Sequence, residues 1–163
     1  CHVGVLGMGA MGSAVARLLQ AVGFQVSGYS RHSGQSLQAV LGDSDILVCA
    51  LPLTAQTEGL LDARAFAAMP RGSYLINIAR GSVVDEPALI AALSTGALGR
   101  AALDVFASEP NADPRLTSLP NVTLYPHHAS GTVETRDAMA QLVVDNLAAF
   151  YAGAPLTSEV RLS

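Results

Sequence analysis

The stretch that decides the fold is Val3-Gly-Val-Leu-Gly7-Met-Gly9-Ala-Met-Gly12, near the start of a 163-residue chain. Ahead of the glycines, His2 to Leu6 reads as a strand. Behind them, Ala10 to Val22 has the pattern of a helix, and Gly23 stands where a left-handed cap would end it. A GxGxxG spacing at a strand-to-helix junction is the context in which that motif holds a dinucleotide. Gly7 permits the tight turn, Gly9 lets a pyrophosphate approach the backbone, and Gly12 lets helix and strand pack closely. The first helical turn, with Ala10 and Met11, then offers its N–H groups to the phosphates.

The alternation continues along the chain. Gln25 to Tyr29 reads as the second strand, followed by a short helix around Leu37 to Leu41 and a strand from Asp45 to Ala50. A short helix near Ala63 to Met69 leads into a strand from Ser73 to Ile78. Asp85 or Glu86 can cap a helix running through Leu89 and Leu93, with Pro87 tolerated in its first turn and Gly96 past its end. Leu98 to Val105 and Val122 to Tyr125 complete six strands. The spacing predicts a last helix over about Val133 to Tyr151, with Met139, Leu142, Val143, Leu147 and Phe150 on one stripe. The fold class predicted is α/β: a Rossmann-type doubly wound parallel sheet with helices on both faces. The expected limits are residues 1–152 for the dinucleotide-binding domain and 153–163 for a C-terminal tail.

Half of the residues are apolar and only 13% are charged, against roughly 25% in ordinary soluble domains. Such a chain is not disordered. It exposes more apolar surface than usual, as a partner subunit or a neighbouring domain would require. A net charge of -4 argues against a nucleic-acid ligand. The longest strongly apolar run, Ile46 to Leu53, is too short to cross a bilayer and contains a proline, and no signal-peptide pattern precedes the first strand. A cytoplasmic protein without a membrane partner is expected. Cys1 and Cys49 make no disulfide framework, and Cys49 in a strand behaves as a small hydrophobe.

The end of the second strand bears on cofactor choice. An acidic residue there would hold the ribose 2′-hydroxyl of NAD and repel a 2′-phosphate. The sequence instead reads Ser30-Arg31-His32-Ser33, and a guanidinium with two hydroxyls can all donate to phosphate. NADP(H) is therefore the preferred cofactor, with NAD(H) possible and Arg31 the main discriminator. Three later segments follow strands and carry the polar groups of a reaction centre: Asn77-Ile-Ala-Arg80-Gly81, Leu103-Asp104-Val-Phe-Ala-Ser-Glu109-Pro110, and Tyr125-Pro126-His127-His128-Ala129-Ser130. Open α/β sheets bind ligands at the carboxyl ends of their strands. Arg, Glu and His converging there provide an anion anchor, a carboxylate that tunes a neighbour and a proton donor. The adjacent His127 and His128 lack Cys or carboxylates at zinc-like spacing, so no metal site is assigned.

With these segments in view, the sequence resembles the D-isomer-specific 2-hydroxyacid dehydrogenases, particularly their NADPH-dependent glyoxylate and hydroxypyruvate reductases. The resemblance rests on the glycine turn, Leu51-Pro-Leu-Thr-Ala-Gln-Thr57, Met69-Pro-Arg-Gly72, Arg80-Gly-Ser-Val-Val-Asp-Glu86, Leu103-Asp-Val-Phe106 with Glu109-Pro110, and Pro126-His127 leading to Thr132. It implies that His127 is the acid/base, that Glu109 is its carboxylate partner, and that Arg80 binds the substrate carboxylate and polarises the carbonyl. It also implies that Asp104 accepts from the nicotinamide carboxamide. Leu51, Pro52, Ile78 and Ala79 would line the cofactor cleft, with Thr57 nearby. His128 stands where the family usually has an aliphatic residue.

The implied partner is a small 2-oxoacid or 2-hydroxyacid, and a homodimer formed through this domain is expected by resemblance. The glycine-turn run also resembles that of the 3-hydroxyacid dehydrogenases, but that family uses a catalytic Lys and all nine basic residues here are Arg. A corepressor-type module that senses the cofactor without turnover is the alternative to an enzyme. The chain opens on Cys1 with strand-like residues, and in the family an N-terminal segment builds most of the substrate domain. The expectation is a cofactor domain of a larger reductase, inactive when isolated.

Overall fold

The computed structural model describes residues 1–31 and 34–159. Its contacts divide the chain into two compact units, Cys1–His127 and His128–Ser163. In the first unit six strands form one sheet: β1 His2–Leu6, β2 Gln25–Tyr29, β3 Ile46–Cys49, β4 Ser73–Asn77, β5 Leu98–Leu103 and β6 Val122–Leu124. Their order is β2-β1-β3-β4-β5-β6 and every pairing is parallel. The chain steps from β1 to β2, then crosses back over β1 to β3 and continues outward. The direction of winding reverses between β1 and β3, the place where open α/β sheets leave a crevice.

Alternating side chains give the sheet two apolar faces. Val3, Val5, Ile46 and Val48 belong to one cluster with Ala16, Val15 and Leu19 of helix α1, Ala10–Ala21. Leu6, Leu47, Cys49 and Leu75 belong to the other, with residues of α2 Leu37–Asp43, α3 Ala63–Ala68 and α4 Glu86–Ser94. Both faces are thus covered by helices, as predicted. Leu47 and Leu75 are fully buried, each burial contributing about 1.5–3 kcal/mol.

The helix ends follow local chemistry. Gly23 N–H donates to the Gln20 carbonyl and Phe24 N–H to that of Leu19, the paired bonds that close a helix through a left-handed residue. Ser36 caps α2, Asp62 caps α3 and Asp85 caps α4, each side chain accepting a backbone N–H of the first turn. A short helix, α5 Pro114–Thr117, follows the cap Asp113, and a 3-10 turn spans Gly81–Val83. Neither was predicted, because each is too short to show a periodicity. Strand ends fall short of their predicted limits for a related reason. Ile78 and Val105 are apolar, but they lie in the turns beyond β4 and β5, where their partial or full burial gives the same sequence signal as a strand.

The second unit holds α6, Val133–Tyr151, with the predicted limits and Thr132 as its cap. Within that unit Asn146 Nδ2 donates to Ser158 Oγ at 2.8 Å, fastening the chain after the helix to its side. The stripe from Met139 to Phe150 is exposed. No helix among the described residues is long and apolar enough to cross a membrane.

Candidate active site at the carboxyl edge of the sheet

Single backbone hydrogen bonds prolong the sheet past the strand ends and set the loops side by side. Gly7 N–H donates to Tyr29 O at 2.8 Å, Ala50 N–H to Leu6 O at 2.8 Å, and Ile78 N–H to Cys49 O at 3.1 Å. Further along, Asp104 N–H reaches Asn77 O at 3.0 Å and His127 N–H reaches Asp104 O at 2.9 Å. Residues far apart in sequence therefore meet on one edge.

A cleft of about 560 Å³ opens there at the winding reversal. Gly9, Ala10, Met11 and Gly12 form one wall, Ala50 to Leu53 another, and Ile78, Ala79 and Arg80 a third. Two of these glycines are required, Gly7 by conformation and space and Gly12 by space. Gly7 has φ +95°, and a Cβ on it would lie 2.6 Å from the Ala50 carbonyl oxygen. A Cβ on Gly12 would overlap the carbonyl of Gly7, whereas at Gly9 it would meet nothing within 4 Å. The closed side of the turn is thus packed against strand and helix, and the Gly9 side is open. No side chain caps the start of α1 at Gly9, so the helix N-terminus is shaped to receive an anion. These residues fit a dinucleotide pyrophosphate.

The other cofactor candidates occupy different places. Ser30 and Arg31 directly follow β2, and the Arg31 side chain is exposed. Ser33, and His32 beside it, lie outside the described residues. Thr57 does not line the cleft. Its hydroxyl donates to Pro52 O at 2.7 Å and accepts from Thr54 N–H at 2.8 Å, which shapes the loop that does.

Arg80 is exposed on the cleft wall, with Nη1 donating to the Ala79 carbonyl at 2.7 Å. The residue that sets its turn is Asn77, which is 1% exposed. Its Oδ1 accepts from Ala79 N–H at 3.0 Å and its Nδ2 donates to Arg80 O at 3.1 Å. The sequence reading gives Asn77 no role; an Asn closing an apolar strand three residues before the Arg of the next turn is the signal that could have found it. Asp104 joins the neighbouring loops through its backbone on both sides.

Glu109 and His127 meet directly. His127 Nδ1 donates to Glu109 Oε2 at 2.8 Å, with 47% of the His side chain and 34% of the Glu side chain accessible. Glu109 Oε1 accepts from Phe106 N–H at 3.3 Å. His127 has φ 53°, a left-handed conformation that costs a non-glycine residue about 1–3 kcal/mol and is held by its surroundings. Its N–H, bonded to Asp104 O and Tyr125 O, supplies that restraint.

A Rossmann-like dinucleotide cleft beside an Arg and a Glu–His pair defines the class of a cofactor-dependent oxidoreductase domain. The sequence profile described as D-isomer specific 2-hydroxyacid dehydrogenase, NAD binding domain, matches residues 1–129. The chain belongs to that family. It is 45% identical over 166 aligned residues to a glyoxylate/hydroxypyruvate reductase A of Arabidopsis thaliana, covering 97% of this chain and 53% of that protein. It is 40% identical over 162 residues to a glyoxylate reductase of Thermococcus kodakarensis, covering 93% of this chain and 49% of the relative. The crystal structure of the NADPH-dependent glyoxylate/hydroxypyruvate reductase of Sinorhizobium meliloti with NADP and malonate superposes with a TM-score of 0.90 at 40% identity, over 98% of this chain and 52% of that one. The chain spans about half the length of these relatives.

Proposed function

We propose that this chain is the cofactor-binding part of a reductase that transfers hydride from NADPH to a small 2-oxoacid of the glyoxylate or hydroxypyruvate type, giving the D-2-hydroxyacid. The observation that carries the reading is the 2.8 Å bond between His127 Nδ1 and Glu109 Oε2, on the strand edge that also holds the Arg80 cleft wall. The names of the relatives support the enzyme over the cofactor-sensing alternative.

A bound nicotinamide supplies the hydride. The chain's own residues hold and polarise what receives it. Gly9, Ala10, Met11 and Gly12 bind the pyrophosphate through backbone N–H groups, while Leu51, Pro52, Ile78 and Ala79 wall the cleft and exclude water. Ser30, Arg31 and Ser33 select the 2′-phosphate, and Asp104 accepts from the carboxamide. Arg80 binds the substrate carboxylate and draws charge onto the carbonyl oxygen. Because Glu109 occupies Nδ1, His127 hands its proton over from Nε2 to that oxygen. The Glu109 carboxylate holds the ring in the orientation that this transfer needs.

The reading extends to a cytoplasmic homodimer formed through this domain. The test is NADPH oxidation by the full polypeptide that carries the domain, across a panel of 2-oxoacids, with His127→Ala as control. Turnover of glyoxylate or hydroxypyruvate that His127→Ala lowers by about a thousandfold supports it; NADPH binding without turnover of any oxoacid moves the assignment to the sensing alternative.

A further inference from the structure

Two consecutive carboxylates, Asp85 and Glu86, stand at the start of α4, and a helix start needs only one of them as its cap. The structure gives that task to Asp85, whose Oδ1 accepts from Ala88 N–H at 3.1 Å. Glu86 reaches away from its own helix, and its Oε2 accepts the N–H of Ala107 at 3.0 Å. The Phe106–Ala107 peptide is gripped on a second side, since a Cβ on Gly81 would overlap the Phe106 carbonyl. One residue earlier, Phe106 N–H donates to Glu109 Oε1, and Glu109 Oε2 holds His127.

We infer that Glu86 is a positioning residue for the Glu109–His127 pair, clamping the Phe106–Ala107 peptide against the Arg80–Gly81 turn. The inference rests on the reading of Glu109 and His127 as the proton-transfer pair. An ionised acceptor makes this a stronger bond than a neutral one. A clamp on the first peptide of a short loop fixes where the loop's carboxylate lies, and small displacements of a reacting group are costly in rate. Were Glu86 only a first-turn acid favoured by the helix dipole, its removal would lower stability without altering proton transfer.

The experiment compares wild type, Glu86→Gln, Glu86→Ala, Glu109→Gln and His127→Ala in the full polypeptide. It records pH profiles of NADPH-dependent glyoxylate reduction, NADPH affinity by fluorescence, and amide hydrogen exchange at Ala107. Glu86→Ala is expected to lose about tenfold in kcat with KM for glyoxylate and NADPH affinity within about twofold of wild type. Its pH profile moves toward that of Glu109→Gln and exchange at Ala107 accelerates. Glu86→Gln, which keeps an acceptor oxygen, restores most of the rate and the wild-type profile. A Glu86→Ala enzyme with wild-type kcat and profile overturns the inference, as does one whose rate falls with no movement of the profile. Wild-type turnover by both Glu109→Gln and His127→Ala overturns the acid–base reading and this role with it. Ala107 exchange separates the two failures, because it reports the clamp whatever reaction is catalysed.

Discussion

Cys49 lies fully buried in β3, and burial pushes its thiol from an ordinary 9.0 up to about 11. Below pH 9 the thiol is protonated in the folded and the unfolded chain alike. Between about 9 and 11 only the unfolded chain gives up the proton, so stability present at lower pH is lost as pH rises through that window, by about 3 kcal/mol. Chemical denaturation at pH 8 and pH 11 should show a smaller decline for Cys49→Ala than for wild type; equal declines would refute the assignment. The exposed Cys1 thiol should alkylate well before Cys49 in the folded protein. Arg31→Ala should weaken NADPH far more than NADH, and equal losses would remove its role in choosing between them.

At the scale of elements, caps and loop contacts decide stability. Asp62 Oδ1 accepts from both Arg64 N–H and Ala65 N–H at 2.9 Å, so Asp62→Ala should cost about 1 kcal/mol in a denaturant titration and Asp62→Asn much less. Gly81→Ala is a test of how two loops meet. Its methyl group would collide with the Phe106 carbonyl backbone, and the loops must part to admit it. Stability and turnover should fall together, whereas Gly42→Ala, with its nearest contact at 3.8 Å, should leave both near wild type. The strands and the longer helices were legible in the sequence because their periodicity is local. The 3-10 turn at Gly81–Val83 and helix α5 were not, since three or four residues show no period. The Asp113-Pro114 pair, a cap followed by a proline in the first turn, was the only local sign of α5.

For the molecule as a whole, the cofactor cleft is built entirely from residues of the first unit. The 163-residue chain should therefore bind NADPH by itself, read as quenching or enhancement of nicotinamide fluorescence, and Gly12→Val should abolish binding by forcing α1 away from Gly7. Absence of binding by the wild-type chain would mean that the cleft needs more than these walls. Light scattering on the full polypeptide tests the proposed homodimer.

The sequence by itself determined the glycine turn, the alternation of strand and helix, and the residue types at the strand ends. Each is a local constraint of period, space or backbone conformation. Only the tertiary structure decided the partnerships. Asp85 rather than Glu86 caps α4, and Glu86 is left to reach Ala107. Glu109 meets His127, and Thr57 turns inward to its own loop. Asn77 shapes the turn of Arg80 from a buried position. These contacts depend on the order of strands across the sheet and on the hydrogen bonds that continue past their ends, and spacing along the chain does not fix distances between segments that the sheet brings together.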